Sequence, residues 1–245
     1  MVNRRKILSL SALLALAPGT PAGAAGKLRL VTAHLPPLVL EDSASRPGAL
    51  MEMVKDLCRR LQLAPQTEFV PWRRALFLAS SMPATAIFPL TRLPDRESQF
   101  RWLAPLYEEQ YLFLAPRHGN FDLARVAEMK DRRIALLRGA AQAAMLAELG
   151  YHNLVEAASI DEIHRFLLGG MADAVFGERN IIRASLKQRA AERQFALSAP
   201  VRTTTAWLAG SLDFGEDEVQ RFQRAMAAME ADGGKRRILA RYDLA

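Results

Sequence analysis

Two hydrophobic rhythms alternate along this chain: short apolar runs or period-two stretches, and longer stretches with apolar residues three and four apart. Leu28 to Ala33 (LRLVTA) reads as a first strand, ended by Pro36-Pro37. Gly48 to Leu61 reads as an amphipathic helix, and Gln66 to Val70 as a second strand. A helix then starts at Pro71, carrying Trp72, Ala75, Leu76 and Leu78; proline is tolerated there because first-turn N–H groups lack partners anyway. Thr85 to Phe88 and Gln110 to Ala115 are strands, with Leu123 to Met129 helical after them.

The alternation continues on a smaller scale. Strand Arg133 to Leu137 precedes the alanine-rich helix Ala140 to Leu149, stopped by Gly150. Strand Leu154 to Ala157, helix Asp161 to Leu168, strand Asp173 to Phe176 and helix Ile181 to Arg193 follow. Thr203 to Ala209 is a late strand. Glu216 to Ala231 is a long helix stopped by Gly233-Gly234, and Lys235 to Tyr242 is a short last one. Strand and helix taking turns in this way predicts an α/β fold. No fixed-period repeat and no low-complexity linker interrupts it.

The first residues change the picture of where the protein works. Arg4, Arg5 and Lys6 precede the apolar stretch Ile7 to Ala17, and Ala22-Gly23-Ala24 offers a small-residue cleavage site. That is a secretory signal peptide over 1–24, with an apolar run too short to span a bilayer. The mature chain is then exported to the periplasm, and about 220 residues remain, enough for one large or two small domains. Cys58, the one cysteine of the chain, excludes an internal disulfide and sits on the apolar helix stripe, which speaks against thiol catalysis. Losing the leader lowers the formal charge of +7 to about +4. The remaining basic residues are scattered without interleaved aromatics, so nucleic acid is not an expected partner.

The stretch Thr85 to Tyr107 (TAIFPLTRLPDRESQFRWLAPLY) carries the most chemistry. Its apolar strand breaks on Pro89 and Pro94 and delivers Arg96 from a loop just beyond. Strand-end loops are where α/β folds place ligands, and a guidinium fork there suits a small carboxylate. The plain alternative is a surface arginine paired with Asp95 or Glu97. Leu90, Thr91, Arg92, Leu93, Pro94, Asp95, Arg96, Glu97, Trp102 and Pro105 resemble, position by position, a segment of the family-three extracellular solute-binding proteins. Those are the ligand-binding components of polar amino-acid uptake systems. MKDRRIALLRGAAQ (129–142) and GGMADAVFGE (169–178) match further segments of the same pattern.

The resemblance implies a type II periplasmic-binding-protein fold of two α/β lobes on a two-strand hinge. Mapped here, lobe 1 is 27–111 plus 198–245 and lobe 2 is 112–197. It also implies a monomer that takes an amino acid or related organic acid from the periplasm and hands it to an inner-membrane ABC permease, without a cofactor. Arg96 would clamp the ligand carboxylate, Thr91 would add a hydroxyl or backbone contact, and Phe88 to Leu90 would line the pocket floor. Gly139, Ala140 and Ala141 would offer backbone donors at a helix start, with Arg138 nearby; an ordinary strand-to-helix turn is the alternative. Glu178 falls where family members hold the ligand's α-ammonium, and a helix-start glutamate is its alternative. His34 stands where a stacking aromatic is common, and Trp72 faces either the cleft or the core.

Three departures stand out: Leu93, Ala140 and Ala141 replace hydroxyl residues of the family pattern. No metal-ligand spacing links the histidines at 34, 118, 152 and 164, and no nucleophile elbow or phosphate loop is present. Catalytic residues are therefore not expected. Two other functions stay open: a dehydratase-like enzyme on the same fold, using Glu178 or His34 as acid or base, and a ligand-binding sensor that feeds no transporter.

Overall fold

Strand β1 (Arg29–Thr32) lies between two parallel neighbours, β2 (Gln66–Phe69) and β3 (Thr85–Thr91), in a computed structural model that describes residues 28–244. The expected leader, 1–24, falls outside those residues. Helices α1 (Ala49–Arg60) and α2 (Trp72–Ser81) make the crossovers. Helix α1 buries Leu50, Met53, Val54, Leu57 and Cys58, the three-and-four spacing read from the sequence. Before it, Gly48 has φ 97°, and a Cβ there would stand 2.5 Å from the Leu38 carbonyl oxygen. Only glycine fits that approach.

Strand β4 is one continuous element, Arg101–Pro116, and the sheet is organised around it. It pairs antiparallel with β9 (Arg202–Gly210) from Arg101 to Tyr111. From Tyr111 onward it pairs with β7 (Ala174–Glu178), and at its end with β8 (Phe195–Leu197). Strands β5 (Ile134–Leu137) and β6 (Leu154–Ala157) continue parallel to β7, giving the order β2-β1-β3-β9-β4-β7-β5-β6. Helices α3 (Gln142–Glu148), α4 (Ile160–Leu168) and α5 (Arg179–Gln188) cover this second half. Helices α6 (Glu216–Ala231) and α7 (Gly234–Arg241) return to the first, α7 packing on α1.

Three expectations are corrected. The strand predicted over 110–115 starts nine residues earlier, because irregular register at Trp102/Ala104 and Pro105/Tyr107 accommodates Pro105 within the ladder. The helix predicted over 123–129 shrinks to a 3-10 turn, Val126–Glu128. There the Asp122 carboxylate accepts the Ala124 N–H at 2.9 Å, offering the backbone a competing turn. Helix α5 ends at Gln188 rather than Arg193, since Ala190 sits at φ 50°.

Among the described residues, no helix is long and apolar enough to cross a membrane. No cluster there of three or more His, Cys, Asp or Glu could hold a metal ion.

Candidate functional site

The strand ends of both halves of the sheet converge on one partly open cavity of about 60 Å³. From the first half come Trp72, Pro89 and Thr91, and from the middle of β4 come Glu109 and Tyr111. The second half supplies Ala140, Ala141, Gln142 and Glu178. Most of the remaining wall is aliphatic.

Arg96 lies beside this cavity rather than on its lining. Its 3-10 turn, Pro94–Arg96, carries the side chain inward, leaving the residue 8% exposed. Nη1 donates to the Thr91 carbonyl at 3.1 Å and Nη2 to the Gly139 carbonyl at 3.3 Å. Glu97 does not pair with it: that carboxylate is held by Arg92 at 2.6 Å, while the Arg92 guanidinium stacks over Trp102 and Trp207. Arg96 thus has no ion-pair partner among the described residues. Burial lowers its pKa, and the charges of Asp95, Tyr111 and Glu109 work against that shift.

Glu109 is buried in a closed triangle. Thr91 Oγ1 donates to its Oε2 at 2.9 Å, the Tyr111 hydroxyl to its Oε1 at 3.1 Å, and the two hydroxyls stand 3.1 Å apart. Desolvation pushes its carboxyl up to about 8, with the nearby Glu178 charge adding to the rise.

Glu178, 2% exposed, caps helix α5: its Oε2 accepts the N–H groups of Asn180 at 2.8 Å and Ile181 at 2.9 Å. Oε1 accepts the Tyr107 hydroxyl at 3.2 Å, and that hydroxyl is also bonded by the Asn180 amide. Burial raises the pKa of Glu178 as well, opposed by those N–H donors. Helix capping and a place on the cavity wall coexist in this one side chain.

The other sequence candidates separate. Thr91, Trp72, Ala140, Ala141 and Glu178 share the cavity. Phe88 and Leu90 do not reach it, because β3 is central and buried on both faces, and both side chains join the core. The Phe88 carbonyl is taken by the Thr32 hydroxyl at 2.6 Å. Arg138 points outward after the buried β5 and meets Glu156 at 3.4 Å. His34 is exposed, its Nδ1 accepting the Glu41 N–H at 3.2 Å; it lines a neighbouring cleft that shares Leu35, Trp72, Leu137 and Ile160 with the cavity. Gly139, at φ 74°, contributes its carbonyl to Arg96, and the Ala140 N–H is already bonded to Leu137 O at 3.1 Å. Helix α3 starts uncapped by any side chain.

Sequence reasoning missed Glu109, Tyr111, Gln142 and His164. One signal was present for the first two: carrying the alternation of β4 back from Gln110 sets Tyr107, Glu109 and Tyr111 on one face, an acid among aromatics. Three lining side chains keep a buried polar atom without a partner, namely Trp72 Nε1, Gln142 Oε1 and His164 Nδ1. Such groups are uncommon in native interiors and mark where something else should bond.

No family model matches this chain, and no curated protein does. Solved structures do resemble it. A histidine kinase sensor domain with similarity to periplasmic binding proteins superposes with a TM-score of 0.78 at 17% identity, over 89% of this chain and 96% of its own. The ligand-binding core of GluR0 from Nostoc punctiforme, in complex with (L)-glutamate, gives 0.76 at 13% identity, over 89% and 100%. An arginine 3rd transport system periplasmic binding protein from Legionella pneumophila gives 0.76 at 14% identity, over 88% and 99%. The fold is thus the two-lobed α/β fold of periplasmic binding proteins.

Proposed function

We propose that this chain is a periplasmic solute-binding protein that closes around a small carboxylate-bearing ligand, an amino acid or related organic acid. One observation carries the reading: a cavity between the halves of the sheet has at its edge a buried guanidinium without an ion-pair partner and two buried carboxyl groups without a basic one. Arg96 lacks a carboxylate, and Glu109 and Glu178 lack a cation. A ligand carboxylate supplies the first counter-ion by replacing the Gly139 carbonyl on the guanidinium fork. A ligand ammonium supplies the second. Thr91 adds polar contact at the same end, and Trp72 forms the facing wall.

Lobe 1 comprises 27–111 and 198–245, lobe 2 comprises 112–197, and the hinge lies where β4 exchanges β9 for β7 at Tyr111. The return segment runs beside it, Val201 N–H bonding to the Tyr111 carbonyl at 2.9 Å. Closure is favoured because a ligand touches both lobes only when they are shut. The closed monomer then presents its cargo to an ABC permease; of the two acid–base candidates of the enzyme alternative, His34 lies outside the cavity, while Glu178 lies on its wall and caps α5.

A thermal-shift screen of free amino acids and small organic acids tests this directly, since a ligand of the native state raises the Tm. Arg96→Ala, with its fold intact by circular dichroism, should lose the shift from every carboxylate. A shift that survives the substitution overturns the clamp. The likeness to a sensor domain supports a second reading, in which closure signals to a protein partner. Permease and ATPase genes beside this one would favour transport.

A further inference from the structure

The cavity does not stop at its charged end. Its lining continues onto the side of the second half-sheet covered by α4 and α5, along Leu114, Val175, Ile163 and Ile182. No titratable group of either sign lies on that wall except His164, which follows Ile163 on α4 and is 4% exposed. Its Nδ1 has no partner. Burial, with the Arg189 charge, holds its pKa down at about 4, against a smaller pull from Asp161. Arg189 and Asp161 are paired with each other. The imidazole is therefore neutral and offers a hydrogen bond, not a charge.

We propose that this aliphatic extension is a specificity subsite for an uncharged, largely apolar substituent of the ligand, whose tip hydrogen-bonds to His164. This rests on the solute-binding reading and narrows it. A charged substituent entering here would lose its water and meet no counter-ion. An aliphatic one exchanges water for Ile163, Val175 and Ile182. A polar tip on that substituent satisfies the orphaned imidazole nitrogen. Selectivity against a cationic side chain follows although Glu109 and Glu178 stand nearby, because the Glu109 carboxyl, pushed up to about 8, keeps its proton and the ligand's own ammonium occupies Glu178.

Three straight-chain amino acids of nearly equal length separate the possibilities: norleucine, 6-hydroxynorleucine and lysine. In calorimetric titration of the mature protein, both uncharged compounds should bind at least tenfold more tightly than lysine, with 6-hydroxynorleucine tightest. His164→Leu should bring 6-hydroxynorleucine down to the norleucine level and leave norleucine unchanged. Ile163→Phe, which fills the subsite, should weaken both several-fold while alanine binds as before. Ile182→Phe fills it from the other wall and serves if the first variant does not fold. Lysine binding as well as norleucine, or filling variants that leave norleucine unaffected, overturns the subsite while solute binding stands. If none of the standard amino acids, small organic acids or these analogues binds the folded protein, the solute-binding reading falls and the subsite with it.

Discussion

The Arg96 guanidinium reaches the Gly139 carbonyl at 3.3 Å, joining segments 43 positions apart that belong to opposite halves of the sheet. The same fork holds the Thr91 carbonyl at 3.1 Å, so one buried cation links the strand end of β3 to the turn before α3. Removing it takes away both contacts and the charge. Arg96→Ala should lower stability by about 1–3 kcal/mol, the range for bonds to a charged donor. It should also shift the unliganded protein toward an open form, read as an increased radius of gyration in small-angle scattering. Arg96→Lys keeps the charge without the fork and should recover less than half of the ligand affinity.

Glu109 predicts a pH dependence with a definite sign. Its folded-state pKa is raised, from 4.5 to about 8. The native state therefore holds this proton more tightly than the unfolded chain does. The resulting stabilisation is fully present below pH 4.5 and lost as pH rises through about 8. Glu109→Gln cannot lose it. Urea unfolding at pH 5 and pH 9 should show wild type losing on the order of a few kcal/mol relative to the variant. Equal pH dependence in both proteins would contradict the burial of an ionisable carboxyl here.

Glu178 caps α5 and, in the proposed reading, holds the ligand ammonium, and substitutions can separate the two. Glu178→Ala removes the α5 cap and should cost about 1–2 kcal/mol. Glu178→Gln retains an acceptor for the Asn180 and Ile181 N–H groups, so stability should stay within about 0.5 kcal/mol of wild type on the scale of a conserved cap. Its affinity for an amino acid should nonetheless fall, measured by titration, because the ammonium loses a charged partner.

Two glycines should respond to alanine by different mechanisms. At Gly139 the new Cβ would stand 3.5 Å from Arg73 Cβ, an ordinary contact, so the cost is that of φ 74°. That is about 1–2 kcal/mol for an L residue. At Gly48 the Cβ would meet the Leu38 carbonyl oxygen at 2.5 Å, and backbone must move. Thermal unfolding should show Gly48→Ala clearly the more damaging of the two.

The α/β alternation was legible because it is local. The helix stripe Leu50, Met53, Val54, Leu57 and the apolar run at Ile134 to Leu137 each record their own burial in their own spacing. Arg96, Thr91 and Glu178 could also be singled out, since each stands at a strand end with a recognisable neighbourhood. Glu109 and Tyr111 could not be weighed in the same way. Their surroundings come from other strands: Thr91 on β3, 18 and 20 positions back, and β7 and β9, more than 60 positions ahead.

Sequence by itself determined the kinds of elements, their order and the charged and polar residue types at the strand ends, because periodicity and chemical character belong to each segment alone. Only the tertiary structure decided which of those side chains meet. Pairing on both edges of β3 sends Phe88 and Leu90 into the core, the exposed end of β5 turns Arg138 toward Glu156, and β9, paired with β3 on one edge and β4 on the other, brings Glu109 within reach of Thr91. Burial then gives these groups their chemistry. A carboxyl or guanidinium cut off from water by distant strands acquires a pKa and a need for a partner that no stretch of its own sequence encodes.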